Sequence, residues 1–515
     1  MKKVKKIISV ILCFVMLLSI AVPIASAQEE CNCGHTPMIY VFGRSTIYDD
    51  PTSPDRRDVL DIGGDAITGM VKTGAPILAK AVLTGNYDAY CDFLYEQTAP
   101  LFADFTPNKD GTVTNGSGIE WSWSPETLYD SHKDDNVYSF VYHYDSRLDP
   151  CDIADDLNRY VQAVKELTGH DKVSILSRCM GCDMAFAYLA EYGWDDVETF
   201  VQYASAVQGT TILSDIFAGK IELNSDAIDR YFNENWIADD WQVNEILKAT
   251  ISVLNENYTL SLTASAVNRI YAKIYANVLP RIMRSSYGTS PGYWSMVAAE
   301  DYEQAKQLVF GENTEEYAEL IEKIDHYDVT VRQQLKNILV SMHDDGVRLM
   351  NITKYGFQMI PITTSYNTVN DNKISVYHQS FGATTSPLDS CFDKKYMENA
   401  VANGTDKYIS PDKQIDASTC LFPDTTWFIK DLDHNNFPGC VNDLMIAACR
   451  SEKEMTIDDD ERFPQYMRFY YWEDAIKPMT EENEETRDYT TNIFQAIYRF
   501  FKAVIDYLKI LFKNK

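Results

Sequence analysis

Lys172-Val-Ser-Ile-Leu-Ser-Arg-Cys-Met-Gly-Cys182 decides the fold. Lys172 to Leu176 reads as a short buried strand, and Gly181 to Tyr192 as an Ala-rich helix. Very few residues separate the two, so the chain must turn abruptly. Small residues two before and two after the turn, Ser177 and Gly181, let strand and helix pass closely. The turning residue, Cys179, then projects from the sheet edge at a helix N-terminus, where the helix dipole favours a thiolate. The same small-x-Cys-x-Gly pattern also suits a structural cysteine at a strand–helix junction. Cys179 and Cys182 further form a C-x-x-C pair, but no thioredoxin-like segment follows, which weakens a redox reading.

Working outward, residues 37–42 form an apolar strand pattern ending at Gly43, residues 137–142 another, and residues 197–204 a third. An amphipathic helix covers 153–167, stopped near Gly169, and residues 66–105 are expected to be largely helical. This β-α-β-α-β order, with nearly all-apolar central strands, calls for a parallel sheet covered on both faces. From 208 to 345 strand signals vanish. Helical periodicity dominates at 227–237, 243–254, 264–279, 302–309 and 314–339, which predicts an inserted helical cap. Strand signals return at 347–354 and 425–429, so the sheet resumes after the insertion.

The ends of the chain carry other signals. Lys2, Lys3, Lys5 and Lys6 precede an apolar run from Ile7 to Ile24, and Ala25-Ser26-Ala27 follows. This is the pattern of an export signal over 1–27, cleaved after Ala27, with a retained anchor as the alternative; export implies a secreted or extracellular protein. The expected division is therefore 1–27 signal, 28–207 first core segment, 208–345 cap, 346–480 second core segment, and 481–515 an acidic linker with a C-terminal helix. In residues 492–515, Ile493, Ile497, Phe500, Phe501, Val504, Leu508, Leu511 and Phe512 recur on one helical face, beside Arg499, Lys502, Lys509, Lys513 and Lys515. Such a stripe suits either a helix lying in a membrane interface or one packed on the core. Hydrophobic content of 45% and charged content of 24% are those of a globular chain. The formal net charge of -30 disfavours nucleic acid as a partner. Neither H-E-x-x-H, a Walker A motif nor a dinucleotide Gly pattern occurs, so no metal and no cofactor are expected. Export permits disulfides, yet a chain of this size does not need them, and some of its 11 cysteines are expected free.

Phe140-Val-Tyr-His-Tyr-Asp-Ser-Arg-Leu-Asp-Pro150, Thr168-Gly169 and Lys172 to Gly181 resemble the lipases of the α/β-hydrolase superfamily. In those proteins a strand ending in Tyr-Asp-Trp-Arg precedes Gly-His-Ser-x-Gly-Gly. Here Tyr144-Asp145-Ser146-Arg147 and Ser177-Arg178-Cys179-Met180-Gly181-Cys182 stand at those places, with Ser177 for the first glycine, Arg178 for the histidine and Cys179 for the nucleophilic serine. The likeness covers about 37–205 and 347–440. It implies an α/β fold with an α/β-hydrolase sheet and an inserted helical cap.

The resemblance also implies a chain order of nucleophile, acid and histidine, with the histidine beyond the last strand. His434, in the loop after Thr425–Ile429, fits as the base; His343 and His378 lie too early. Ser410-Pro-Asp-Lys-Gln-Ile-Asp-Ala-Ser418 resembles the lipase pattern around the acid and makes Asp412 the first candidate to orient His434. Asp371 is the rival; it follows Lys354-Tyr355-Gly356 and Pro361, which resemble the end of the preceding lipase strand. The oxyanion hole is expected from the backbone N–H groups of Met180 and of Arg44, beyond Phe42-Gly43. The implied activity is a secreted lipase- or esterase-like hydrolysis of an ester or thioester of a lipophilic acyl group through a Cys179–His434–Asp412 triad. The alternative, motivated by the missing serine, is a non-catalytic lipid-binding or cell-surface protein on the same fold.

Overall fold

The computed structural model describes residues 35–61, 64–132, 139–234, 241–480 and 502. The expected signal at 1–27 and nearly all of the C-terminal helix at 492–515 lie outside these residues. Among the described helices none is long and apolar enough to cross a membrane.

Among the described residues ten strands occur: β1 (Met38–Val41), β2 (Ser139–Tyr142), β3 (Val173–Arg178), β4 (Val197–Tyr203), β5 (Arg348–Tyr355), β6 (Thr384–Thr385), β7 (Ile415–Asp416), β8 (Thr426–Lys430), β9 (Tyr466–Tyr470) and β10 (Ala475–Pro478). Eight of them form one sheet in the order β10-β9-β8-β5-β4-β3-β1-β2. Every pair in it is parallel except β9 with β10. The protein is therefore a mixed α/β fold on a large, mostly parallel sheet. β6 and β7 make a small separate hairpin.

The central strands are apolar because both faces are covered. Ile39, Val41, Ile175, Leu176, Phe200 and Val201 have no exposed surface. On one face lies the helix Pro150–Thr168. Asp149 caps it by accepting from the Cys151 N–H, Pro150 opens it, and Gly169 closes it at φ 69°. Its buried stripe of Ile153, Ala154, Leu157, Tyr160, Val161 and Val164 follows the three-and-four spacing of the sequence. Side chains as fully buried as Leu157 each contribute roughly 2 kcal/mol.

Between β4 and β5 the described residues contain helices and no strand of the main sheet. The stretch read as one helix over 314–339 is two, Ala318–Thr330 and Leu335–Asp344. The break has a cause: Arg332 is buried, donates to the Trp294 and Ser295 carbonyls, and pairs with Asp328. β9 and the edge strand β10 were not among the expected elements. Arg468 interrupts the apolar pattern of β9, and it points at Asp431, with Nη2 2.6 Å from Oδ2.

The turn after β3 is as tight as the sequence requires. Cys179 adopts φ 52° and ψ −127°, a conformation costing of order 1–3 kcal/mol for a residue with a Cβ. The helix Met180–Tyr192 starts at once. Gly181 crosses β1 so closely that an added Cβ would lie 2.0 Å from the Val41 carbonyl oxygen and 2.7 Å from that of Phe42. Backbone atoms on both sides cannot swing away. Gly181→Ala is accordingly expected to lower stability by about 3 kcal/mol, the upper end for an overpacked site. A urea unfolding midpoint equal to wild type would show that the helix has room to shift.

Candidate active site

β3, β5 and β8 are parallel neighbours or near neighbours, so the loops that follow them emerge at one edge of the sheet. Cys179 follows β3, Asp371 lies in the long loop after β5, and His434 follows β8. The fold joins the three into a chain of contacts. His434 Nε2 lies 2.9 Å from Cys179 Sγ, and His434 Nδ1 lies 2.7 Å from Asp371 Oδ2. Asp371 is wholly buried, and its Oδ1 accepts from the Lys373 and Ile374 N–H groups at 3.1 and 2.9 Å. Its carbonyl also accepts the His434 N–H at 2.9 Å. One residue thus fixes both the ring and the backbone of His434.

Asp412 is elsewhere, and the expectation that it orients His434 is corrected. Its Oδ1 accepts from the Ser410 hydroxyl at 2.6 Å and the Gln414 N–H at 3.2 Å. Its Oδ2 accepts from the Tyr355 hydroxyl at 3.1 Å and lies 2.9 Å from Lys430 Nζ. With those partners the carboxylate is satisfied beside the β6–β7 hairpin. His343 pairs with Glu454, and His378 bridges Glu300 and Thr211.

Electrostatics follow from this geometry. Burial pushes the Cys179 thiol up, but the charge and hydrogen bond of His434, the Met180 N–H and the charge of Lys373 together bring it down to about 7. Burial pushes His434 down, and it is overridden by the charges of Asp371 and Cys179 and by its hydrogen bonds to both, which hold it at about 9. Burial raises Asp371, yet His434, Lys354 and the Ile374 N–H leave it below the ordinary carboxylate value. A thiolate–imidazolium pair is therefore favoured between about 7 and about 9. Cys179, held below its ordinary value, contributes stability that is lost as pH falls through about 7. His434, held above its ordinary 6.5, contributes stability that is lost as pH rises through about 9.

Of the two residues expected to supply oxyanion donors, Met180 touches the thiol, and Gly43, which precedes Arg44, lies beside it. Met180 directs its N–H at Cys179. On the other side, a Cβ added to Gly43 would stand 3.4 Å from Cys179 Cβ and 3.9 Å from Sγ. Arg44 follows it with an exposed side chain. The Tyr144–Arg147 motif, just beyond β2, is held by a network of its own. Arg147 is fully buried and forks onto Asp145 at 2.9 and 2.6 Å, while its Nη1 donates to the Phe105 carbonyl at 3.1 Å and the Ser117 hydroxyl at 2.8 Å.

Three charged residues near the site were not read as part of it. Arg178 and Lys354 bind the backbone around His434. Asp183 lies fully buried in the first turn of the helix behind Cys179, its carboxyl pushed up to about 8 by burial, with the Tyr327 hydroxyl 3.4 Å away. The available signal was a lysine inside the apolar run Leu349-Met-Asn-Ile-Thr-Lys354 and an aspartate inside an Ala-rich helix. Every described cysteine, Cys179 and Cys182 included, is a free thiol. Among the described residues no group of His, Cys, Asp and Glu is arranged to hold a metal ion. Comparison with protein-family models and with curated proteins finds no match for the chain.

Proposed function

We propose that this chain is an acyl hydrolase of the α/β-hydrolase, lipase-like kind, acting on an ester or thioester of a lipophilic acyl group through Cys179, His434 and Asp371. One observation carries the reading: a single imidazole lies 2.9 Å from a thiol at a strained strand–helix turn and 2.7 Å from a buried carboxylate. This is the nucleophile–base–orienter geometry of covalent catalysis. The chain order supports it too, since nucleophile, acid and histidine follow the parallel strands β3, β5 and β8 in that order.

In this reading the Cys179 thiolate attacks the carbonyl carbon, forming a C–S bond while the carbonyl electrons move to oxygen. The Met180 and Arg44 N–H groups receive that oxyanion. The oxyanion collapses, the bond to the leaving alkoxide or thiolate breaks, and His434 gives it a proton. Water then attacks the acyl-thioester, His434 takes the water's proton, and the acid departs as Cys179 is regenerated. Asp371 holds the imidazole with Nε2 toward sulfur throughout.

The second reading, a non-catalytic lipid-binding protein, would be favoured by a Cys179–Cys182 disulfide or by a histidine withdrawn from the thiol. Neither is present, since both thiols are free and His434 is in contact. The test is exposure of the folded protein to an alkyl fluorophosphonate and to iodoacetamide, followed by peptide mapping. Iodoacetamide is expected to label Cys179 at pH 7.5 faster than any other cysteine. Labelling no faster than that of exposed Cys391 would remove the basis for an activated nucleophile.

A further inference from the structure

We propose that Lys354 and Arg178 are positioning residues: two cations bound to the backbone of the Asp433–Asn436 turn that hold the His434 imidazole between Cys179 and Asp371. The inference rests on the Cys179–His434 reading above and adds to it the device that sets the geometry.

His434 sits in a turn, with neither helix nor strand to hold its carbonyls. The cations do so instead. Lys354 Nζ donates to the carbonyls of Asp433 at 2.8 Å, His434 at 2.8 Å and Asn436 at 3.3 Å. Those bonds use all three ammonium hydrogens. Arg178 Nη2 donates to the carbonyls of His434 at 3.2 Å and Asn435 at 2.7 Å. The Tyr203 hydroxyl adds a bond to the Asn436 carbonyl at 2.7 Å. Its ring lies under both cations, with Lys354 Nζ 4.5 Å and the Arg178 guanidinium 5.8 Å from the centroid.

A lysine with no exposed surface at the C-terminal end of a parallel strand is unfavourable in any fold that makes no use of it. Burial pushes its ammonium down to about 7; the Asp371, Asp433 and Cys179 charges oppose that fall, and Arg178 adds to it. Lys354 also helps to keep Asp371 ionised. Arg178 has a particular advantage of place. It immediately precedes Cys179, so the residue that starts the nucleophile turn grips the loop carrying the base. Nucleophile and base are thereby referenced to each other directly, without the long route through the sheet.

The experiment measures iodoacetamide alkylation of Cys179 against pH in the full chain, with thermal melting in parallel, for wild type, Lys354→Met, Arg178→Gln and Arg178→Lys. In wild type the midpoint is expected near 7. With the base displaced, the charge and hydrogen bond of His434 no longer oppose burial, and only the Met180 N–H and the Lys373 charge still do. Lys354→Met and Arg178→Gln should each raise the midpoint by about one unit, a roughly tenfold slower alkylation at pH 6. Arg178→Lys keeps the charge and one donor and should recover part of the shift. Hydrolysis of p-nitrophenyl butyrate should lose at least about tenfold in kcat with KM nearly unchanged. Folded variants with the wild-type midpoint would overturn the positioning role alone. A wild-type midpoint near the ordinary thiol value would overturn the Cys179–His434 pair, and the positioning role with it. Arg178 is only half-buried, so Arg178→Gln decides the matter if Lys354→Met does not fold.

Discussion

Cys179→Ala is expected to abolish turnover of an acyl ester, with kcat falling by about 10⁴ or more, and to leave the folded protein intact. The size of the effect comes from chemistry and not from packing. No other described nucleophile is in contact with His434 Nε2, and an alanine methyl cannot form the acyl intermediate. The fold should tolerate the change because Cys179 is half-buried and its backbone strain at φ 52° is the same for alanine. Cys179→Ser is not expected to rescue activity. His434 at about 9 is matched to a thiol brought to about 7, and a serine hydroxyl stays protonated beside it. p-Nitrophenyl butyrate hydrolysis and a melting curve on the same sample decide the point. Residual activity within about tenfold of wild type would place the nucleophile elsewhere.

His434→Ala should lower kcat by about 10²–10⁴, the contribution of a positioned general base. Asp371→Asn should approach the same loss. An asparagine amide facing Nδ1 presents a donor where the imidazole needs an acceptor, and the wrong tautomer or ring orientation results. Asp412→Asn should change kcat by less than about threefold, because its carboxylate serves Lys430, Tyr355 and the Ser410–Gln414 turn and not the histidine. Its effect belongs in the melting temperature, which should fall. The pH profile separates these cases further. Wild-type activity should decline on the acid side as the thiolate is lost below about 7. In His434→Ala the acid limb of Cys179 alkylation should move upward, since burial, which raises the thiol, is no longer opposed by the imidazolium. A kcat for Asp412→Asn lower than that for Asp371→Asn would return the orienting role to Asp412.

The nucleophile turn was legible in the sequence because three independent signals coincide there: an apolar strand, an immediate helix, and a glycine exactly where backbone meets backbone. Gly181 is that glycine, and nothing larger fits over Val41. His434 was legible for a similar reason, as a histidine just past an apolar strand. The carboxylate was not. Ser410-Pro-Asp412 matches a local pattern, but local pattern does not measure distance, and the loop after β5 brings Asp371 to the ring instead. Lys354 escaped because a lysine in a strand ordinarily marks an exposed position; only the folded turn reveals the carbonyls that surround it. Arg178 looked like a departure from a motif when its function is in the side chain's reach across to β8's loop. β9 and β10 were missed because Arg468 interrupts the apolar pattern of β9, and β10, at the sheet edge, is partly exposed, with Trp472 between them 95% exposed.

All the contacting groups, Cys179, His434, Asp371, Arg178 and Lys354, hang from the sheet or from loops directly following its strands, and the helices between β4 and β5 contribute none of them. The two parts of the chain therefore stand under different evolutionary rules. Around the sheet, a change of one methylene displaces a bond whose geometry matters to a few tenths of an ångström. In the inserted helices, exposed turns can be rewritten while the triad keeps its distances. Substitutions would therefore be expected to accumulate faster in the inserted helices than around the sheet.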